Sequence, residues 1–165
     1  MVDVVHLALA VAQVDQCLDA GDDVFLAQRA HGVLGIQRQT HVFAKVSRAE
    51  VARQFMAPAP DAILKPLVSR GDIAPEQAEI AASVPVALDI TAEADSGGHT
   101  DNRAAGPLFS SLVQARRQAG EAHGLNADDI RIGLGGGIGT PWAAASAFQM
   151  GAAYIITGSV NQAAV

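Results

Sequence analysis

Three stretches of this chain carry residues whose types and spacing can do chemistry. The first is Gly135-Gly136-Gly137-Ile138-Gly139-Thr140-Pro141, which directly follows the apolar run Ile130 to Leu134. A strand, then glycines, then a capped helix start is a recipe for holding phosphate. Glycines let the backbone approach an anion, and a helix N-terminus presents unpaired N–H groups at the positive end of its dipole. No Gly-Lys-Ser/Thr follows, so this is not a Walker loop. The GxGxxG spacing with an acidic residue about 20 positions on, which a dinucleotide fold needs, is also missing. A tight strand-to-helix turn needs glycine as well, so the stretch alone serves either purpose. Thr157-Gly158-Ser159, one β-α unit later, is a second small-residue turn. Parallel β/α barrels commonly share a phosphate site between the loops after their last two strands, and the two turns have that spacing.

The second stretch, Asp95-Ser96-Gly97-Gly98-His99-Thr100-Asp101-Asn102, is a polar, glycine-hinged loop leaving an apolar run. The C-terminal ends of strands are where α/β active sites lie, and a histidine there exchanges protons near neutral pH. A turn in which Asp and Asn satisfy their own backbone has the same composition. Metal binding by His99 with Asp95 and Asp101 is the weakest reading of the loop. The third feature is Lys45, a charge inside the apolar run Val42 to Val46. It either points to solvent at a strand end or faces a ligand at the mouth of the sheet. His6, His31, His41 and His123 have no partner pattern, and Cys17 lies in a helix-like run as a packing residue.

The elements that position these residues follow from period and punctuation. Five apolar runs, Val4 to Ala12, Val42 to Val46, Val86 to Ala92, Ile130 to Leu134 and Ala153 to Thr157, read as strands. Several are followed by helical patterns, the rhythm of an α/β fold. Ser47 three residues before Glu50 has the form of a capping box, which predicts a helix from Ser47 that stops before Pro58. Residues 58–84 read as a helical insert of two short helices separated by Ser69-Arg70-Gly71-Asp72. Pro66 predicts a kink or a late start in the first, and Pro75 with Glu76 opens the second. A long helix from about Pro107 to His123 ends at Gly124, and another from Pro141 to Met150, capped by Thr140, ends at Gly151.

Composition bounds the class. The 165 residues hold 11 Lys plus Arg against 17 Asp plus Glu, a net charge of −6, and the only adjacent basic pair is Arg116-Arg117. That balance argues against nucleic acid, whose binders concentrate cations against phosphate. Hydrophobic residues make up 50% and aromatics 4%, so the core must rest on Ala, Val, Leu and Ile, as in helices packed on a parallel sheet. One cysteine excludes an internal disulfide and any cysteine-built metal site. No apolar run of about 20 residues is present to span a bilayer. MVDVVHLALAVAQ carries Asp3 and no basic segment, unlike a signal peptide. The expectation is a cytoplasmic protein with no nucleic-acid or membrane partner.

Four stretches in order, FAKVSRAEVARQFMAPAP, DIAPEQAEIA, DITAEADSGGHTDNR and GGGIGTPWAAASAFQMGAAYIITGSVNQA, closely resemble the PfaD family from about Ala27 to Val165. These are flavin-dependent enoyl reductases of polyunsaturated fatty acid and polyketide synthases, similar to 2-nitropropane dioxygenases, now called nitronate monooxygenases. The resemblance implies a TIM-type (β/α)8 barrel holding FMN, with the phosphate on the amides of the last two glycine turns. Carried over by position, Gly136 and Gly137 match the first turn, and Gly158 and Ser159 the second. His99 falls on the catalytic histidine of the Gly-Gly-His motif, and Asp95, Ser96, Gly97 and Gly98 align with the rest of it. Two positions depart from the family: its usual Met-Ala-Asp-Asp reads Val86-Ala87-Leu88-Asp89, and a helix cap often filled by Thr is Ala74.

A complete barrel typically takes about 250 residues, so this chain is expected to hold its C-terminal half. That is about five strands in a single partial β/α-barrel domain over residues 1–165, with the helical insert inside it. Open strand edges would favour self-association. The function the resemblance implies is an FMN-dependent, trans-acting enoyl reductase with NAD(P)H as reductant, acting on an enoyl thioester on acyl carrier protein. Nitronate oxidation by the same His99, or a non-catalytic barrel fragment, are the alternatives.

Overall fold

The computed structural model describes residues 25–30, 33–38, 42–95 and 101–164, the first two stretches as backbone only. Ser96, Gly97, Gly98 and His99 lie outside the described residues, as does the run Val4 to Ala12. The described residues form two compact units.

The first unit contains an antiparallel hairpin of β1 (Phe25–Ala30) and β2 (Val33–Arg38), with Ala30 opposite Val33 and Phe25 opposite Arg38. It also contains α2 (Asp61–Arg70) and α3 (Pro75–Ala81). The two helices of the insert are therefore present, with one difference. The first starts at Asp61 and carries Pro66 in its interior, so the proline does not delay it. Pro66 forfeits one N–H, and the helix instead closes firmly at its C-terminus. Gly71 at φ 78° and Asp72 donate their N–H groups to Val68 O and Leu67 O. Ala74 has no side chain to cap α3, but Gln77 Oε1 accepts from the Ala74 N–H at 2.7 Å.

The second unit is a four-stranded parallel sheet in the order β3 (Phe43–Val46), β4 (Asp89–Glu93), β5 (Arg131–Gly135), β6 (Ile155–Ile156). Its helices are α1 (Ala49–Met56), α4 (Ala105–His123), α5 (Pro141–Gln149) and the one-turn α6 (Ser159–Gln162). Alternate strand residues point to opposite faces. Ala44, Val46, Ile90, Ala92, Ile132 and Leu134 make one face, and all are buried. The stripe Leu108, Leu112, Ala115 and Ala119, at helical spacing along α4, is buried with them, as are Ala52 and Met56 of α1.

Several boundaries differ from the sequence reading: the fifth run is a strand only over Ile155–Ile156, and two further differences have a visible cause. α1 begins at Ala49 rather than Ser47, because the Arg48 carbonyl accepts the first intrahelical bond, from Ala52 N–H. The third apolar run enters the sheet only at Asp89. Before that, Val86 N–H donates to Ala57 O and Ala87 N–H to Phe55 O, so these residues pair outside the sheet.

Candidate functional site

The other face of the sheet is built from residues that the register sets side by side. Phe43, Asp89 and Arg131 form one row, Lys45, Thr91 and Gly133 the next, and Glu93, Gly135 and Ile156 the row at the C-terminal ends. In the first row Arg131 Nε and Nη2 each donate to the Asp89 carboxylate at 2.7 Å. This bidentate pairing keeps the guanidinium firmly cationic. In the second, a Cβ on Gly133 would stand 2.1 Å from the Tyr154 ring. The missing side chain lets that ring lie across β5 and place its hydroxyl 2.8 Å from the buried Thr91 Oγ1. Burial raises the Tyr154 phenol above its usual range, and the Thr91 hydrogen bond partly offsets this.

At the C-terminal ends lies a cavity of about 380 Å³. It is lined by Lys45, Glu93, Ile156 and both glycine turns, Gly135 to Gly139 and Gly158 to Val160. This brings together Lys45, Gly136, Gly137, Gly158 and Ser159, five of the residues singled out in the sequence. Lys45 Nζ sits 2.7 Å from Glu93 Oε1, so its charge is turned along the cavity wall. Sequence reasoning missed Glu93; the signal available was its place at a strand end two residues before Asp95.

The first turn is shaped by the chain itself. Gly136 has φ 88°, and a Cβ there would stand 1.7 Å from the Ala94 carbonyl oxygen. Gly139 N–H donates back to Gly137 O, and Thr140 Oγ1 accepts from Ala143 N–H to cap α5. The second turn is held by Asn161, whose Nδ2 donates to Thr157 Oγ1 at 2.8 Å. A Cβ on Gly158 would meet nothing within 4 Å.

Both ends of the stretch 96–100 are tied to the same end of the sheet. Asp95 N–H donates to Arg103 O, and the Asp95 carboxylate accepts from Ala105 N–H at the start of α4. Beyond the stretch, Arg48 grips Asp101 through Nε and Nη2, the latter at 3.0 Å. Hydrogen bonding from Arg48 holds the Asp101 carboxyl below the usual carboxylate range. Asp95 and Asn102 both adopt φ 48°. Asp95 thus closes a loop and caps a helix, and it does not line the cavity. Among the described residues, no cluster of three or more His, Cys, Asp or Glu can hold a metal ion, and no helix is long and apolar enough to cross a membrane.

No protein-family model matches the chain. A polyunsaturated fatty acid synthase polypeptide from Thraustochytrium sp. is 46% identical over 138 residues, which cover 83% of this chain and 9% of that protein. The polyketide biosynthesis protein PksE of Bacillus subtilis is 41% identical over 147 residues, 86% of this chain and 19% of PksE. Among solved structures, the enoyl reductase domain of MlnA, from the macrolactin biosynthesis cluster of Bacillus amyloliquefaciens, superposes with a TM-score of 0.75 at 39% identity. The chain is homologous to that enoyl reductase domain. The match covers 86% of this chain and 30% of the solved chain. The sequence therefore spans under a fifth of these curated relatives and under a third of the solved relative.

Proposed function

We propose that this chain is the phosphate-holding part of an FMN-dependent enoyl reductase acting on enoyl thioesters of acyl carrier protein in polyunsaturated fatty acid or polyketide assembly. On this reading its parallel strands belong to a TIM-type barrel. The observation that carries the proposal is the cavity where both glycine turns converge at the C-terminal ends of parallel strands, in a homologue of an enoyl reductase domain. The residues present fit the cofactor's phosphate. The cavity volume lies within the roughly 300 to 1,000 Å³ usual for small-molecule sites. Its described walls hold two glycine-rich turns and the Lys45 ammonium, and Gly158 leaves open the space that a side chain would fill.

FMN, when bound, supplies hydride transfer between NAD(P)H and the double bond. The chain's own residues do the rest. Gly136, Gly137, Gly158 and Ser159 bring backbone close to the phosphate, and Lys45 adds positive charge. Arg48, Asp95 and Asp101 fix where the Gly-Gly-His stretch leaves and rejoins the fold. His99 takes the proton-transfer role that the resemblance assigns to it. The Asp89–Arg131 and Thr91–Tyr154 pairs hold the sheet face below the cavity in one arrangement.

The test is titration of FMN with the purified chain, followed by assays with NAD(P)H plus an enoyl thioester and with propionate 3-nitronate. Saturable quenching of flavin emission with enoyl turnover is expected. An unchanged spectrum at high protein concentration would overturn the cofactor reading, and turnover of only the nitronate would replace the reaction.

A further inference from the structure

Among the described residues, every formal charge in the cavity wall belongs to one pair. Lys45 comes from β3 and Glu93 from the last position of β4; the other lining residues are glycines, isoleucines, Ser159 and Val160. In contact at 2.7 Å, the two charges of the described wall sum to zero. Lys45 is side by side with Thr91 in the register and Glu93 with Gly135, so both side chains rise from the same face of the sheet. Neither is deeply buried, the side chains being 47% and 28% exposed, so both act on whatever enters. A carboxylate beside an anion cradle works against a phosphate, and a lysine works for it. A site selected only for tight phosphate binding would keep the ammonium and omit the carboxylate.

We infer that Lys45 and Glu93 act as an opposed pair that sets how strongly the cavity favours a phosphorylated flavin over an unphosphorylated one, with Glu93 the residue that limits the preference. This rests on the flavin reading above and adds to it a specificity residue. Lys45 draws the phosphate, and Glu93 cancels part of that pull and keeps the ammonium at the wall. The amides of the glycine turns then carry the selective part of recognition through short-range geometry rather than through net charge.

The measured quantity is the ratio of the riboflavin Kd to the FMN Kd at low salt, in the full chain and in Lys45→Met, Glu93→Gln and the double variant. Circular dichroism melts check that each variant is folded. Lys45→Met should lower the ratio roughly tenfold and Glu93→Gln should raise it several-fold, because each leaves an uncompensated charge of opposite sign near a dianion. The double variant should return close to the starting ratio, and both single effects should shrink at high salt. Riboflavin affinity itself should stay constant across the set. A ratio unmoved by Glu93→Gln, or a variant that loses riboflavin and FMN affinity together, would overturn the inference while the starting chain's flavin binding still supports the flavin reading. A starting chain that binds neither flavin would overturn the flavin reading and this inference with it.

Discussion

The two glycine turns of the cavity look alike in sequence and differ in what demands the glycine. At Gly136 the demand is internal: the left-handed backbone and the Ala94 carbonyl oxygen, 1.7 Å from where a Cβ would stand, exclude any side chain whatever the ligand. At Gly158 nothing apart from its two chain neighbours comes within 4 Å of that position, so no clash excludes a side chain there. The first turn shows how strands β4 and β5 are joined closely enough to share a rim. The second leaves the corresponding space open. The contrast separates glycines that build a site from glycines that leave room in it, which their spacing alone does not do.

The largest expected effect comes from erasing the internal demand. Gly136→Ala should lose about 3 to 5 kcal/mol of stability, the sum of a left-handed penalty and a clash with backbone that cannot move aside. Urea melts measure it, and a loss below about 1 kcal/mol would mean the rim relaxes. Next is the open position. Gly158→Ala should change stability by less than about 0.5 kcal/mol, yet weaken FMN binding by roughly tenfold or more. Equal affinities for FMN would erase the distinction between the turns.

The smallest effect lies at the loop anchor beside them. The lowered Asp101 pKa means its contact with Arg48 stabilises the fold in full above the ordinary carboxylate range. That contribution is lost as pH falls through the lowered value. Arg48→Gln should therefore cost stability at neutral pH, and its melting curve should converge on that of the parent chain once the pH drops well below about 4. A gap that persists into acid would assign the cost to packing rather than to the ion pair.

Much of this arrangement is legible in the residues alone. The strands at 43–46 and 131–135, the long helix ending at Gly124 and the Thr140 cap follow from periodicity and punctuation, which act over a few residues. The hairpin of β1 and β2 escapes such reading, although FLAQRA and VLGIQR flank a two-residue His31-Gly32 link, a standard hairpin spacing. Both runs mix apolar and polar residues without the clean alternation that marks a half-buried strand. The start at Ser47 is misleading because a capping box is a local pattern, and here Ser47 helps Arg48 hold Asp101, more than 50 residues along the chain.

In the site, the two turns are visible as glycine runs, and Lys45 as a charge out of place. Its alignment with Glu93 is not. That pairing depends on which strands neighbour each other and in what register, and such information is spread over the stretch between positions 45 and 93. At Asp95 the motif suggests a ligand contact, and the hydrogen bond its carboxylate accepts from Ala105 N–H is a further role that the spacing does not show.

Trp142, the chain's single tryptophan, stands on the first turn of α5, three residues beyond the cavity-lining Gly139, and is 81% exposed. Its indole is already bathed in water in the folded protein, so its emission colour changes little when the chain denatures. Intrinsic fluorescence is thus nearly blind to unfolding here, and dichroism has to follow the melts. The same blindness makes the indole a clean optical gauge: an absorbing guest settling beside Gly139 dims it by energy transfer, in a signal that loss of structure does not imitate.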